Sequence, residues 1–412
     1  MSGLAFAQAP PPGQPLRFLL SSLAWGVAAG AWLLWSGEFA LLTRWAPHTL
    51  VLVHLFTLGV LGNAMLGSLI QFLPVAAGSP LPRPGLAPWL HAAFNGGLLL
   101  LVPALMFPHP LLTGAASLLL APSLLLFALG GLIAVARGTG ARAARFGIGV
   151  ALASQLVTAS LGLAGLAILS GRIALPLDRI ANLHAAFGLA GWALALLGAV
   201  ASITLPMLQG TRRIPAGWLL IWLGVLVAGL GAAGWRALAD VPIHPARVLA
   251  LPALVFCLAV PILQSRAPHP RNPVLRRFWL AGCTALAAAC LATLAPDPSP
   301  RAMLAIGVLV IAVGLPLLVL GMLLEIIGFL AWIELRRRHP RGVRVPGVDR
   351  LLEDSHKQWL LYAHLAAGGL LLAATADPAL ARLAGTALML AWGASGAVIL
   401  RCWRGALRFR PA

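Results

Sequence analysis

Charge is what this 412-residue chain has least of: 9% of its residues are Asp, Glu, Lys or Arg, only 10 of them are acidic, and 60% are hydrophobic. That scarcity excludes a soluble globular domain, in which about a quarter of the residues are charged, and makes the chain an integral membrane protein. Cysteine is nearly absent too. The four thiols, Cys257, Cys283, Cys290 and Cys402, form neither CxxC nor CxxCH, so a disulfide framework, a thiolate metal site and covalent haem attachment all lack their residues. There is one tyrosine, Tyr362, two residues before His364. The opening MSGLAFAQAPPPGQP has no basic n-region, and its prolines break any h-region; a disordered tail over residues 1–16 is expected there rather than a secretory signal.

What is present is long apolar runs. They fall at about 18–36, 49–74, 89–107, 111–136, 144–169, 180–205, 216–235, 246–264, 277–295, 302–333, 358–376 and 380–401, and roughly 20 residues suffice for one crossing. The fold class is therefore all-α: a polytopic membrane helix bundle of about 12 transmembrane helices over residues 17–404, followed by a basic tail over 405–412. The run at 302–333 exceeds one upright crossing and is expected to tilt or to extend beyond the bilayer. Basic residues check the count. If both termini are cytoplasmic, 22 of the 29 Lys and Arg residues fall on that side, including the cluster from Arg336 to Lys357 and the C-terminal Arg401, Arg404, Arg408 and Arg410, as the positive-inside rule requires. The net charge of +19 then belongs to orientation and to the lipid bilayer, not to nucleic acid. The largest connection runs from about Glu334 to Lys357, so a single bundle is expected.

Histidine inside a membrane span is costly enough to need a reason. Four positions stand out. His54 lies in HTLVLVHLFTLGVLGNAMLGSLIQFLPVAAG and His184 in the sixth run; counted at about 1.5 Å per residue they sit at nearly the same depth on the outer side, the placement that axial ligation of a haem lying between helices requires. His91 and His364 lie toward the inner side and form a second candidate pair, at less equal depths. For each, the alternative is a histidine bonded to a neighbouring helix. A weak internal echo accompanies the first pair: His54 is followed by Pro74 and Gly78, and His184 by Pro206 and Gly210.

Glu325 is the one acidic residue well inside a span, so it is either neutral or paired, and it is the candidate proton or ion site. Asn63, Gln71, Asn95, Gln155 and Asn182 are expected mainly in interhelical hydrogen bonds. The 14 tryptophans suit interfacial anchoring.

The order His54, Gly59, Gly67, Pro74, Gly78 resembles the first histidine helix of the NnrS family, and that helix together with the His184 helix resembles, more distantly, heme-copper oxidase subunit I. The resemblance implies a bacterial inner-membrane, multi-pass protein with b-type haem, copper as a further candidate, ligands among His54, His184, His91 and His364, and a role in handling nitric oxide or electrons with a quinone or redox protein as partner. The seventh and tenth spans carry no histidine, which departs from the oxidases and implies no functional dioxygen-reducing centre. Two other classes stay open: a proton- or ion-coupled transporter using Glu325, against which residues 1–205 and 216–412 show no repeat, and an assembly subunit of a larger membrane complex.

Overall fold

In a computed structural model of the chain, which describes residues 10–239, 241, 245–296, 298–340 and 342–410, helices account for every regular element among those residues. Twelve are long and apolar enough to cross a membrane: Gly13–Leu41, Pro47–Pro74, Pro84–Met106, Pro110–Arg137, Arg142–Leu169, Leu177–Gln209, Ala216–Leu238, Ala246–Ser265, Pro273–Ala292, Pro300–Arg338, Asp354–Ala376 and Pro378–Arg408, here spans 1 to 12. The protein is a multi-pass membrane protein. Proline opens six of these ranges, because the first turn has no use for the N–H that proline lacks.

The ends differ from expectation in two places. Span 1 starts at Gly13, with Pro15 in its first turn, so the expected tail over 1–16 ends earlier; residues 1–9 lie outside the described residues. Span 12 stays helical to Arg408, well into the expected tail over 405–412. Span 10 runs for 39 residues, about 58 Å at 1.5 Å per residue, so its last turns, with exposed Arg336, Arg337 and Arg338, pass beyond a hydrocarbon layer of about 30 Å.

The helices form two compact units. One comprises 70–272 and 286–297, and so contains spans 3 to 8; the other comprises 10–69, 273–285 and the chain from 298 onward, with span 1, most of span 2 and spans 10 to 12. In the first, span 5 is the hub. Leu152 on it fills the space left by Gly131 of span 4, and Gly147 accepts Ala199 of span 6 and Leu223 of span 7. In the second, spans 1 and 12 cross backbone to backbone: a methyl group on Gly385 would lie 2.4 Å from the Leu34 nitrogen. Small residues permit such crossings where lipid offers helices no hydrophobic drive to associate.

Along the chain the twelve spans form three sets of four. The second span of every set contains a π-helical segment: Leu55–Gly62 in span 2, Phe187–Leu194 in span 6 and Val308–Gly314 in span 10. In every set the first span crosses the second closely at a glycine, Gly59 against Trp25, Gly191 against Ser154, and Gly282 against Leu318. The far end of the second span meets the residues that follow the fourth. After span 2, the Ala77 carbonyl accepts the Gly140 amide of the segment after span 4; after span 6, the Gly210 carbonyl accepts the His269 amide of the segment after span 8. After span 10, the His339 ring meets Phe409 edge-on, 5.4 Å between centroids. The halves of the chain do not repeat because its thirds do. The echo of Pro74 and Gly78 in Pro206 and Gly210 marks the first two of these closures, where both glycines take positive φ, +69° and +67°.

Candidate functional site

His54 is the last residue of the α-helical turn Pro47–His54, and the π segment begins at the next residue. His184 lies in Leu177–Ala186, three residues before its own π segment. Each stands seven residues past the first residue of its helix. The matching position in span 10, seven residues past Pro300, is Gly307. The third set carries the π segment without the histidine.

The two rings share a hydrogen-bonding state. His54 Nδ1 lies 2.7 Å from the Leu50 carbonyl oxygen and His184 Nδ1 lies 2.9 Å from that of Thr158 on span 5. A carbonyl oxygen only accepts, so Nδ1 carries the proton in both, and a neutral ring then has its lone pair on Nε2. This is the arrangement by which a backbone carbonyl fixes the tautomer and orientation of a metal-binding imidazole. Around His184 the sequence makes room for it. Gly162 lies beneath the ring, where a Cβ would come within 3.0 Å of Cε1, and Gly188 sits against Thr158. Around His54, the Thr57 hydroxyl donates to the Val53 carbonyl and the buried Asn63 amide to that of Gly59. Carbonyls in and beside the widened turns thereby gain a side-chain donor.

No protein-family model and no curated protein matches this chain. His54 and His364 belong to one unit, His184 and His91 to the other. Among the described residues no group of three or more His, Cys, Asp or Glu side chains is placed to hold a metal ion. That bears on a bare copper ion, which takes its whole ligand set from side chains. It does not bear on haem, whose ring supplies the in-plane ligands and which asks the protein for one or two axial groups. The donors present fit the second requirement.

His91 sits four residues into Ala87–Met106, half-buried, and its carbonyl accepts the Asn95 amide. His364 is buried between spans 11 and 12, with Nε2 2.9 Å from the Ser395 hydroxyl and its ring edge-on to Trp392 at 4.6 Å. Ser395 also lies 2.9 Å from the Ala391 carbonyl; donating there, it accepts from His364, which places the ring proton on Nε2. This is an interhelical tie. Replacing His364 by Leu is expected to cost roughly 1 kcal/mol, the usual size of a hydrogen bond between membrane helices, and to leave any bound metal unchanged; thermal unfolding in detergent and metal content read the two effects.

Glu325 is paired, one of the two states expected for it. Its Oε1 lies 2.7 Å from Lys357 Nζ, with the two side chains 13% and 5% exposed. The sequence reading counted Lys357 among the cations of the connecting loop. The structure instead places it three residues into span 11, which begins at Asp354 rather than near 358, and buries it. A signal was present: Lys357 is the only lysine in a chain whose other 28 basic residues are arginine. Gln155 also departs from expectation, since neither end of its buried amide has a hydrogen-bond partner among the described residues.

Proposed function

We propose that the protein is a haem-binding membrane protein in which His54 and His184 are axial ligands, serving electron transfer or the handling of nitric oxide in a bacterial inner membrane. One observation carries this reading. Two histidines at the same register of corresponding spans, each at a π-helical segment, are both held in the tautomer that directs a lone pair to Nε2. A metal-ligating imidazole usually donates its other ring N–H to a carboxylate, a carbonyl or water, as both of these do. π-Helical insertions are retained mainly where function demands the displaced turn.

Bound b-type haem would supply a one-electron couple and an iron able to take a diatomic ligand. The chain's part is to hold and orient. Leu50 and Thr158 fix the imidazoles through their carbonyls, and Gly162 lets the His184 ring lie against span 5. The register and the Pro74 and Gly78 pattern support the NnrS-like reading over an oxidase-like one, since Gly307 in span 10 and the whole of span 7 offer no further imidazole. A coupled carrier built on Glu325 would first have to open an ion pair that occupies the carboxylate.

Substituting His54 and His184 singly by Ala is expected to abolish haem retention through purification while the protein still inserts. A pyridine haemochrome assay with a reduced-minus-oxidised spectrum reads the outcome. Full occupancy in both variants would overturn the ligand assignment.

A further inference from the structure

Lys357 lies between two carboxylates. Nζ is 2.7 Å from Glu325 Oε1, within span 10, and 3.3 Å from Asp354 Oδ1, at the start of span 11, whose side chain is 54% exposed. Beside Asp354 stand Glu353 and His356, a partly exposed pair 3.6 Å apart. Four of the five residues from 353 to 357 are titratable, in a chain with only 10 acidic residues. The group thus runs from solvent-facing acids, through a buried amine, to a carboxylate inside the bundle. From span 12 the Cys402 thiol lies within electrostatic reach of Lys357; on the side of Gly328, the short helix Val348–Leu351 carries Asp349 and Arg350.

Lysine is the exception here, since the chain uses arginine at its other 28 Lys or Arg positions. Arginine stays protonated in proteins, whereas a buried lysine can give up its proton. From this placement we propose that Asp354, Lys357 and Glu325 form a proton-uptake relay into the bundle. The Nζ–H bond of Lys357 breaks as an O–H bond forms on Glu325 Oε1. Hydronium from solvent protonates the Asp354 carboxylate, whose new O–H bond then breaks as an Nζ–H bond re-forms on the neutral amine, returning Asp354 to carboxylate and leaving water behind. The net change is one proton moved from solvent to Glu325, with no change of oxidation state. The relay stands on these three residues and does not depend on the haem reading.

The test is time-resolved infrared spectroscopy of the full chain in detergent after a downward pH jump, following the carboxylic-acid C=O band that E325Q removes. In K357R, which keeps the charge and cannot pass the proton, the band is expected to rise at least about tenfold more slowly. D354N, a change at an exposed position, is expected to slow it less. K357R is checked for an unchanged unfolding midpoint; if it does not fold, D354N alone decides. Equal rates in unmodified protein and in the deciding variant, or no E325Q-sensitive band while the protein stays folded, would overturn the relay.

Discussion

Replacing Lys357 by methionine is expected to destabilise the protein by about 3–5 kcal/mol, the cost of leaving one partner of a buried ion pair without the other. Methionine retains the stem length and the apolar contacts, so the loss isolates the charge. Glu325 then keeps a carboxylate within span 10, in a bundle whose other described acids lie at span ends or in connections. Size separates this tie from the ordinary polar contacts of a membrane bundle: interhelical hydrogen bonds such as His364 to Ser395 average about 0.6 kcal/mol. Replacing Glu325 by leucine in the same protein is expected to recover most of the loss, because a well-packed apolar pair is often no less stable than a buried ion pair. A double-mutant cycle of K357M, E325L and the double variant, read by equilibrium unfolding in mixed micelles, gives the coupling energy. Additive losses would show that the two side chains do not support one another.

That pair also shows where sequence stops being informative. The apolar runs give all twelve spans because spanning length and hydropathy are local properties. The expected depths of His54 and His184 come from counting residues along the apolar runs at about 1.5 Å each. Lys357 and Glu325 are 32 residues apart, and no local pattern distinguishes a lysine that turns inward from one that stays with the arginines of a loop. The three-fold organisation was half visible. His54, Pro74 and Gly78 match His184, Pro206 and Gly210, but span 10 lacks the histidine, and the positive-φ glycine after it, Gly342, lies at φ +100° rather than near +68°. What unites the three spans is a π-helical stretch of backbone, which has no composition of its own. Gln155 reads from sequence as one more polar tie, and only packing shows that its amide has no hydrogen-bond partner among the described residues.

Substituting Gly210 by alanine is expected to be the most damaging single methyl addition in the chain, costing roughly 3 kcal/mol or more, because two penalties meet there. The residue caps span 6 at φ +67°, a conformation that costs an L side chain about 1–2 kcal/mol, and its new Cβ would lie 1.7 Å from the His269 carbonyl oxygen. Backbone cannot rotate aside as a side chain can, so the segment after span 8 has to move. Moving it strains the bonds from the His269 and Arg271 amides to the Gly210 and Gln209 carbonyls, and with them the 2.7 Å bond from Gln264 to Gln209. Two other glycines resolve the terms. Among the described residues Gly171 has φ +72° with nothing within 4 Å of a Cβ, so G171A is expected to pay the dihedral cost alone; Gly78 has φ +69°, and its Cβ would meet the movable Thr139 hydroxyl at 2.7 Å and the Gly140 backbone nitrogen at 3.0 Å, a looser backbone contact than the one at Gly210. The order expected from unfolding midpoints is G171A mildest, G78A intermediate and G210A most severe. The gap between the first and the last measures how firmly the end of a set's second span is locked to the segment leaving its fourth. Equal losses at all three positions would mean that backbone conformation, and not this closure, is what the glycines serve.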